Sequence, residues 1–113
     1  MSIEKRRELD LFIHMIYELD KGVRVLSLLT TSMDNEDAIK EKLDECGYKY
    51  MIEHLNNKMI NVYFGTEESI LVVRSFNKSS LTHLSPEEDF ILGILLGYNT
   101  EKQCTRYLTR KSA

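Results

Sequence analysis

The sequence predicts an α+β fold, a three-stranded antiparallel sheet packed by about five helices, and three observations lead there. An apolar stripe with helical spacing (Leu9, Phe12, Ile13, Ile16, Leu19) opens the chain. Two short runs with strand character flank Asn56-Asn57, and the capping-box sequence Ser85-Pro86-Glu87-Glu88 announces a late helix. The elements read in the order α-β-α-β-β-α-α-α. A strand, a crossover helix and a hairpin fold most simply with the third strand in the middle, a relative of the split βαβ plan.

Each element has its own justification. The first helix spans about Lys5 to Asp20 and stops at Gly22. Val23 to Thr30 is apolar on both sides, as in a strand covered twice. Asp34 is placed to cap a second helix that ends at Cys46-Gly47, with Ala38, Ile39 and Leu43 as its core stripe. Tyr48 to His54 and Lys58 to Phe64 then form a hairpin. A two-residue Asn56-Asn57 turn would set Tyr50 opposite Tyr63 and Ile52 opposite Asn61, gathering Met51, Ile60, Val62 and Phe64 on the core face. Thr66 starts a third helix, Ser85 caps a fourth that reaches Leu96-Gly97, and Thr100 with Gln103 repeats the capping logic for a last helix burying Cys104, Tyr107 and Leu108.

With 113 residues, 15 Lys and Arg against 18 Asp and Glu, and a net charge of −3, the chain reads as one domain, 1–113, of ordinary globular composition. The mildly acidic balance makes wholesale nucleic-acid binding unexpected. No basic-then-apolar leader is apparent, and the apolar run Phe90 to Tyr98 is too short to cross a bilayer. Cys46 and Cys104 are too few for a disulfide framework, so a reduced, cytoplasmic setting without membrane attachment is expected.

Several stretches carry a resemblance: Phe12 to Tyr17 (FIHMIY) with Lys21-Gly22, Ile60 to Gly65 (INVYFG), Leu84 to Tyr98 (LSPEEDFILGILLGY), then Gln103-Cys104 and Arg106-Tyr107. In order across nearly the whole chain, they resemble an uncharacterised bacterial family of similar length, known as a domain of unknown function. The resemblance implies three strands, five helices and a homodimer. It also implies an association with flavodoxin in some bacteria, and no catalytic residue to carry over.

The chemistry-bearing residues each have a functional and a structural reading. The fourth helix is apolar on nearly every side. Phe90, Gly93, Leu96 and Gly97 read either as a homodimer seam, with the glycines allowing close helix approach, or as a central core helix of a monomer. Glu87, Glu88 and Asp89 suit the first turn of a helix better than a metal cluster. Lys102, Arg106 and Arg110 recur every four residues on the last helix. They read as a docking stripe for an acidic protein such as flavodoxin, or as a solvated face. Tyr48, Tyr50, Asn61 and Tyr63 would share one sheet face and could line a small-ligand pocket.

Other constellations are thinner. Leu84 to Leu108 looks like the start of a helix-turn-helix, but Gln103 and Arg106 fall where packing residues belong and no further recognition helix follows before Ala113. His14, His54, His83, Cys46 and Cys104 lack metal-ligand spacing, and no glycine-rich phosphate loop or nucleophile-base pair can be assembled. The expectation is a non-enzymatic interaction module without a cofactor, with a ligand sensor built on the tyrosines as the alternative.

Overall fold

Backbone pairing joins β1 (Leu26–Ser32), β3 (Met59–Gly65) and β2 (Lys49–His54) into one antiparallel sheet with β3 in the middle. The structure is a computed structural model that describes residues 3–77 and 81–113. Five helices complete it: α1 (Ile3–Asp20), α2 (Glu36–Cys46), α3 (Glu67–Ser75), α4 (Pro86–Leu95) and α5 (Thr100–Lys111).

The sheet is covered on both faces. On one, Phe12, Ile16 and Leu19 of α1 and Ile39 and Leu43 of α2 meet Leu29, Ile60, Val62 and Phe64. The Phe12 and Phe64 rings meet edge to face, with centroids 5.3 Å apart. On the other, Ile70 and Val73 of α3 and Leu92 of α4, with Leu84 and Leu96, enclose Leu26 and Tyr63. Two polar ties lock the layers. Glu8 accepts hydrogen bonds from Thr31 and Asn35 at 2.8 and 3.0 Å, anchoring α1 to the lead-in of α2. The Arg24 guanidinium donates to Glu18 at the end of α1 and to the Leu96 carbonyl at the end of α4.

Local sequence accounts for most boundaries. Gly22, Gly47 and Gly97 take positive φ just beyond α1, α2 and α4, where a residue without Cβ is unstrained. Ser85 accepts from the Glu88 amide while Glu88 accepts from the Ser85 amide, a complete capping box with Pro86 in the first turn. Three boundaries differ from expectation. Asp34 lies inside a single 3-10 turn, Met33–Asn35, that Ser32 caps and that feeds α2. Asn99 caps α5, accepting from the Lys102 amide at 2.9 Å, and Thr100 is the first helical residue. The first strand begins at Leu26 instead of Val23, because the intervening residues carry the chain from Gly22 to the sheet edge. Stripes also narrow: Ile13 and Ala38 face solvent, a helical step of about 100° away from the buried Phe12 and Ile39.

The hairpin register is the consequential correction. Tyr50 pairs with Phe64, Met51 with Tyr63 and Ile52 with Val62, one residue away from the expected pairing. The Asn56 side chain accepts from the Lys58 and Met59 amides at 2.7 and 2.9 Å, and Leu55 pairs with Met59, so the loop has three residues, 56–58. A one-residue slip moves side chains to the other face. Met51 therefore joins the Tyr63 side, and Tyr50 and Ile52 join Ile60, Val62 and Phe64.

Candidate functional site

The register separates the expected tyrosine pocket. Tyr48 and Tyr50 pack on the α1–α2 side, whereas Tyr63 is buried beneath α3 and α4 on the opposite side, next to Asn61. Asn61 is engaged across the sheet, accepting from Thr30 at 2.6 Å and donating to Glu53 at 3.1 Å. Tyr48 donates to Asp20, and desolvation with that bond pushes its phenol up to about 12. Tyr48 and Tyr50 do line a polar cleft of about 510 Å³ with Lys49, Glu67 and Arg74. Arg74 closes part of it by donating to the Tyr50 carbonyl at 3.2 Å. The four residues expected together therefore do not form one site.

The basic stripe is also redirected. Arg106 lies on the side of α5 that faces α4, where Nε and Nη2 grip Asp89 at 2.7 and 3.1 Å. Arg110 reaches the same carboxylate at 3.5 Å and donates to the Leu84 carbonyl at 3.0 Å. Lys102 remains exposed near the start of α5. Further along, Glu87 meets Lys111 at 3.0 Å and accepts from Tyr107 at 2.9 Å. The first-turn carboxylates of α4 are thus engaged, Glu88 in the capping box and the other two by α5. The Arg106 hydrogen bond holds the Asp89 carboxyl below its ordinary value, and Lys111 followed by Tyr107 does the same for Glu87.

These ties rotate α5 so that its apolar side faces outward. Cys104 is exposed and Leu108 is 64% exposed, against the expectation that both are buried, and Tyr107 is half-buried. No described residue of α5 is buried. Ile91 and Ile94 on α4, with Tyr98 beyond it, are exposed too. Between the helices lies an apolar groove of about 470 Å³ lined by Phe90, Ile91, Cys104, Tyr107 and Leu108, with Glu87 at its end. Phe90 and Tyr107 form its floor, their ring centroids 5.5 Å apart.

The residues expected as a dimer seam divide between two surroundings. Gly93 is buried, and a Cβ there would meet the Gln103 side chain of α5. Leu96 is buried in the second core. Gly97 takes the positive φ that ends α4, with Arg24 against it. Phe90 lines the groove. Gly93 therefore serves the α4–α5 contact inside the chain and Gly97 the end of α4, and the exposed apolar surface lies on the adjoining face. That face was legible in one respect: a helix apolar all round exceeds what one small core can cover. Its continuation through Cys104 and Leu108 was hidden, because a helical stripe does not say which side meets its neighbour.

Among known proteins, a family profile described as a protein of unknown function (DUF2023) matches residues 10–110, a span that takes in the sheet and almost all of the α4–α5 hairpin. The chain matches no curated protein.

Proposed function

The chain belongs to the DUF2023 family of proteins of unknown function, and since that description assigns no activity, we propose from the site itself that it is a non-enzymatic interaction module that self-associates through the α4–α5 hairpin. The observation that carries this reading is the outward apolar face of a helix that buries no described residue of its own. Holding such a helix by ion pairs on its inner side while its leucine faces water is unfavourable unless something covers it.

A second copy is the simplest occupant, since a two-fold axis brings this same apolar face against itself, and the area is sufficient for it. The chain exposes 7345 Å², against about 6,400 Å² for a folded monomer of its mass. The excess of roughly 900 Å² is close to one partner's share of a standard interface, about 800 Å². Its radius of gyration of 14.7 Å likewise exceeds the roughly 13 Å of a compact domain of this length. Two hairpins related by a two-fold axis would cover Ile91, Ile94 and Leu108 in a four-helix arrangement, and the ion pairs on the inner side of α5 hold each hairpin ready for it. Docking of an acidic partner such as flavodoxin on Lys102, Arg106 and Arg110 has less support, because both arginines are already committed to Asp89.

Sedimentation equilibrium of the full chain and of Leu108→Glu tests the reading. A dimer that becomes a monomer in the variant, with helix content unchanged, supports it. A natural chain that stays monomeric across the concentration range removes it.

A further inference from the structure

The outer face of the α4–α5 hairpin has an order that decides how a second copy meets it. Glu87, Ile91 and Ile94 are exposed on one side of α4, with Tyr98 just beyond its end. Steps of three or four residues put them in one row along the helix. On α5 the same steps join Glu101, Cys104, Leu108 and Lys111, all exposed. Three contacts fix how the two rows stand beside each other. Glu87 meets Lys111 at 3.0 Å, the Phe90 and Tyr107 ring centroids lie 5.5 Å apart, and a Cβ on Gly93 would strike the Gln103 side chain. Down the face, then, Glu87 is beside Lys111, Ile91 beside Leu108, Ile94 beside Cys104 and Tyr98 beside Glu101.

Charge is confined to the two ends of these rows, and it is unevenly satisfied. At one end Lys111 and Glu87 neutralise each other within the chain. At the other, the Glu101 carboxylate makes no ion pair or hydrogen bond among the described residues. Lys102, the next residue, is turned about 100° away from the row. Tyr98 is half exposed beside Glu101 and carries a phenol able to donate.

We propose that the second copy docks with the two-fold axis running along the hairpin, so that α5 of each protomer lies against α4 of the other. The proposal rests on the self-association reading and specifies its geometry. With that axis, every level of the face meets the same level of the partner. Lys111 then meets the partner's Glu87. Two glutamates and two lysines alternate around that layer, so each lysine has two acidic neighbours and like charges sit on the diagonal. Leu108 meets the partner's Ile91, and Cys104 meets the partner's Ile94. Tyr98 donates to the partner's Glu101, the carboxylate left unpartnered within its own chain.

An axis running across the helices fits the face less well. It would have to pass midway between Ile91 and Ile94 on α4 and midway between Cys104 and Leu108 on α5. The Phe90–Tyr107 and Gly93–Gln103 contacts put the second of those points level with residues 90 and 91. That is about two residues, or roughly 3 Å, from the first, so a single axis does not centre both rows.

Covalent trapping tests the geometry, with the exposed Cys46 replaced in every chain by Cys46→Ser. One full-length chain keeps Cys104, and the other carries Ile94→Cys with Cys104→Ala. Under oxidised glutathione the mixture should yield a covalent dimer. Each chain alone should not, because a disulfide needs Cβ atoms about 4 Å apart and identical residues lie across the diagonal. Lys111→Glu should weaken association roughly tenfold at low salt, and adding Glu87→Lys should restore it by rebuilding the alternation with its signs exchanged. A dimer whose mixture fails to cross-link, or whose Ile94→Cys chain cross-links with itself, overturns the geometry and leaves self-association standing. So does a double variant that stays as weak as Lys111→Glu. A natural chain that sediments as a monomer at every concentration overturns both.

Discussion

Asp89, in the first turn of α4, takes both Nε and Nη2 of Arg106 from the second turn of α5, at 2.7 and 3.1 Å. This bidentate pair sets the rotation of α5 and therefore which of its faces meets solvent. A single carboxylate here serves the helix dipole of α4, the packing of the hairpin and the exposure of Cys104 and Leu108.

Asp89→Asn is expected to loosen α5 selectively. The Arg106 side chain is 56% exposed, so the pair contributes no more than about 1 kcal/mol, and the melting temperature should fall by about 4 °C or less. Amide exchange should accelerate in α5 well before it does in the sheet. Uniform acceleration throughout the chain would contradict the assignment.

Acid should act on the same contact. Because Arg106 lowers the folded-state value of Asp89 below its unfolded one, the contribution is fully present above about pH 4. It is lost as the pH falls through the lower folded value. Carbon-13 shifts of the Asp89 carboxyl should titrate below those of an ordinary aspartate, and Arg106→Gln should move the titration up toward the usual range, with Arg110 still beside the carboxylate.

Alkali should reveal Tyr48. Its phenol is raised by desolvation and by donation to Asp20, from an ordinary 10.0 to about 12. The stabilisation is fully present below about pH 10 and is lost as the pH rises through about 12. Burial drives Tyr63 in the same direction. Phenolate absorbance should therefore show a late fraction in the folded chain, reduced in Tyr48→Phe. Simultaneous ionisation of all the tyrosines before unfolding would refute the placement.

Asn56→Ala removes the acceptor for two loop amides and should destabilise the chain by about 1 kcal/mol, read from denaturant midpoints at unchanged slope. Cross-strand contacts of Tyr50 with Phe64 should survive in the variant, since the apolar faces also specify the register.

Gly65→Ala tests the closest backbone approach. A Cβ at Gly65 would strike the Val25 carbonyl and lie 3.0 Å from Leu26 Cα, both main-chain atoms that a side-chain rotation cannot move. A loss of about 3 kcal/mol is expected, against a much milder effect for Gly93→Ala, where the obstacle is the flexible Gln103 side chain.

Helix starts and stops were legible because they are local. The Ser85 box and the glycines at 22, 47 and 97 act within a few residues and need no distant partner. The sheet plan was legible too, since a strand, a crossover helix and a hairpin leave few arrangements. By itself, then, the sequence determined the α+β class, the element order and an excess of apolar surface around Phe90 to Leu96. The tertiary structure decided where that surface points. Whether the hairpin turns over two residues or three decides whether Tyr50 shares a face with Tyr63, and an Asn56 side chain binding two amides tips the choice. Whether α5 turns its arginines or its leucine to solvent depends on Asp89, seventeen residues before Arg106. Helical and strand periods define faces relative to their own axis, and contacts made elsewhere in the chain assign each face a neighbour.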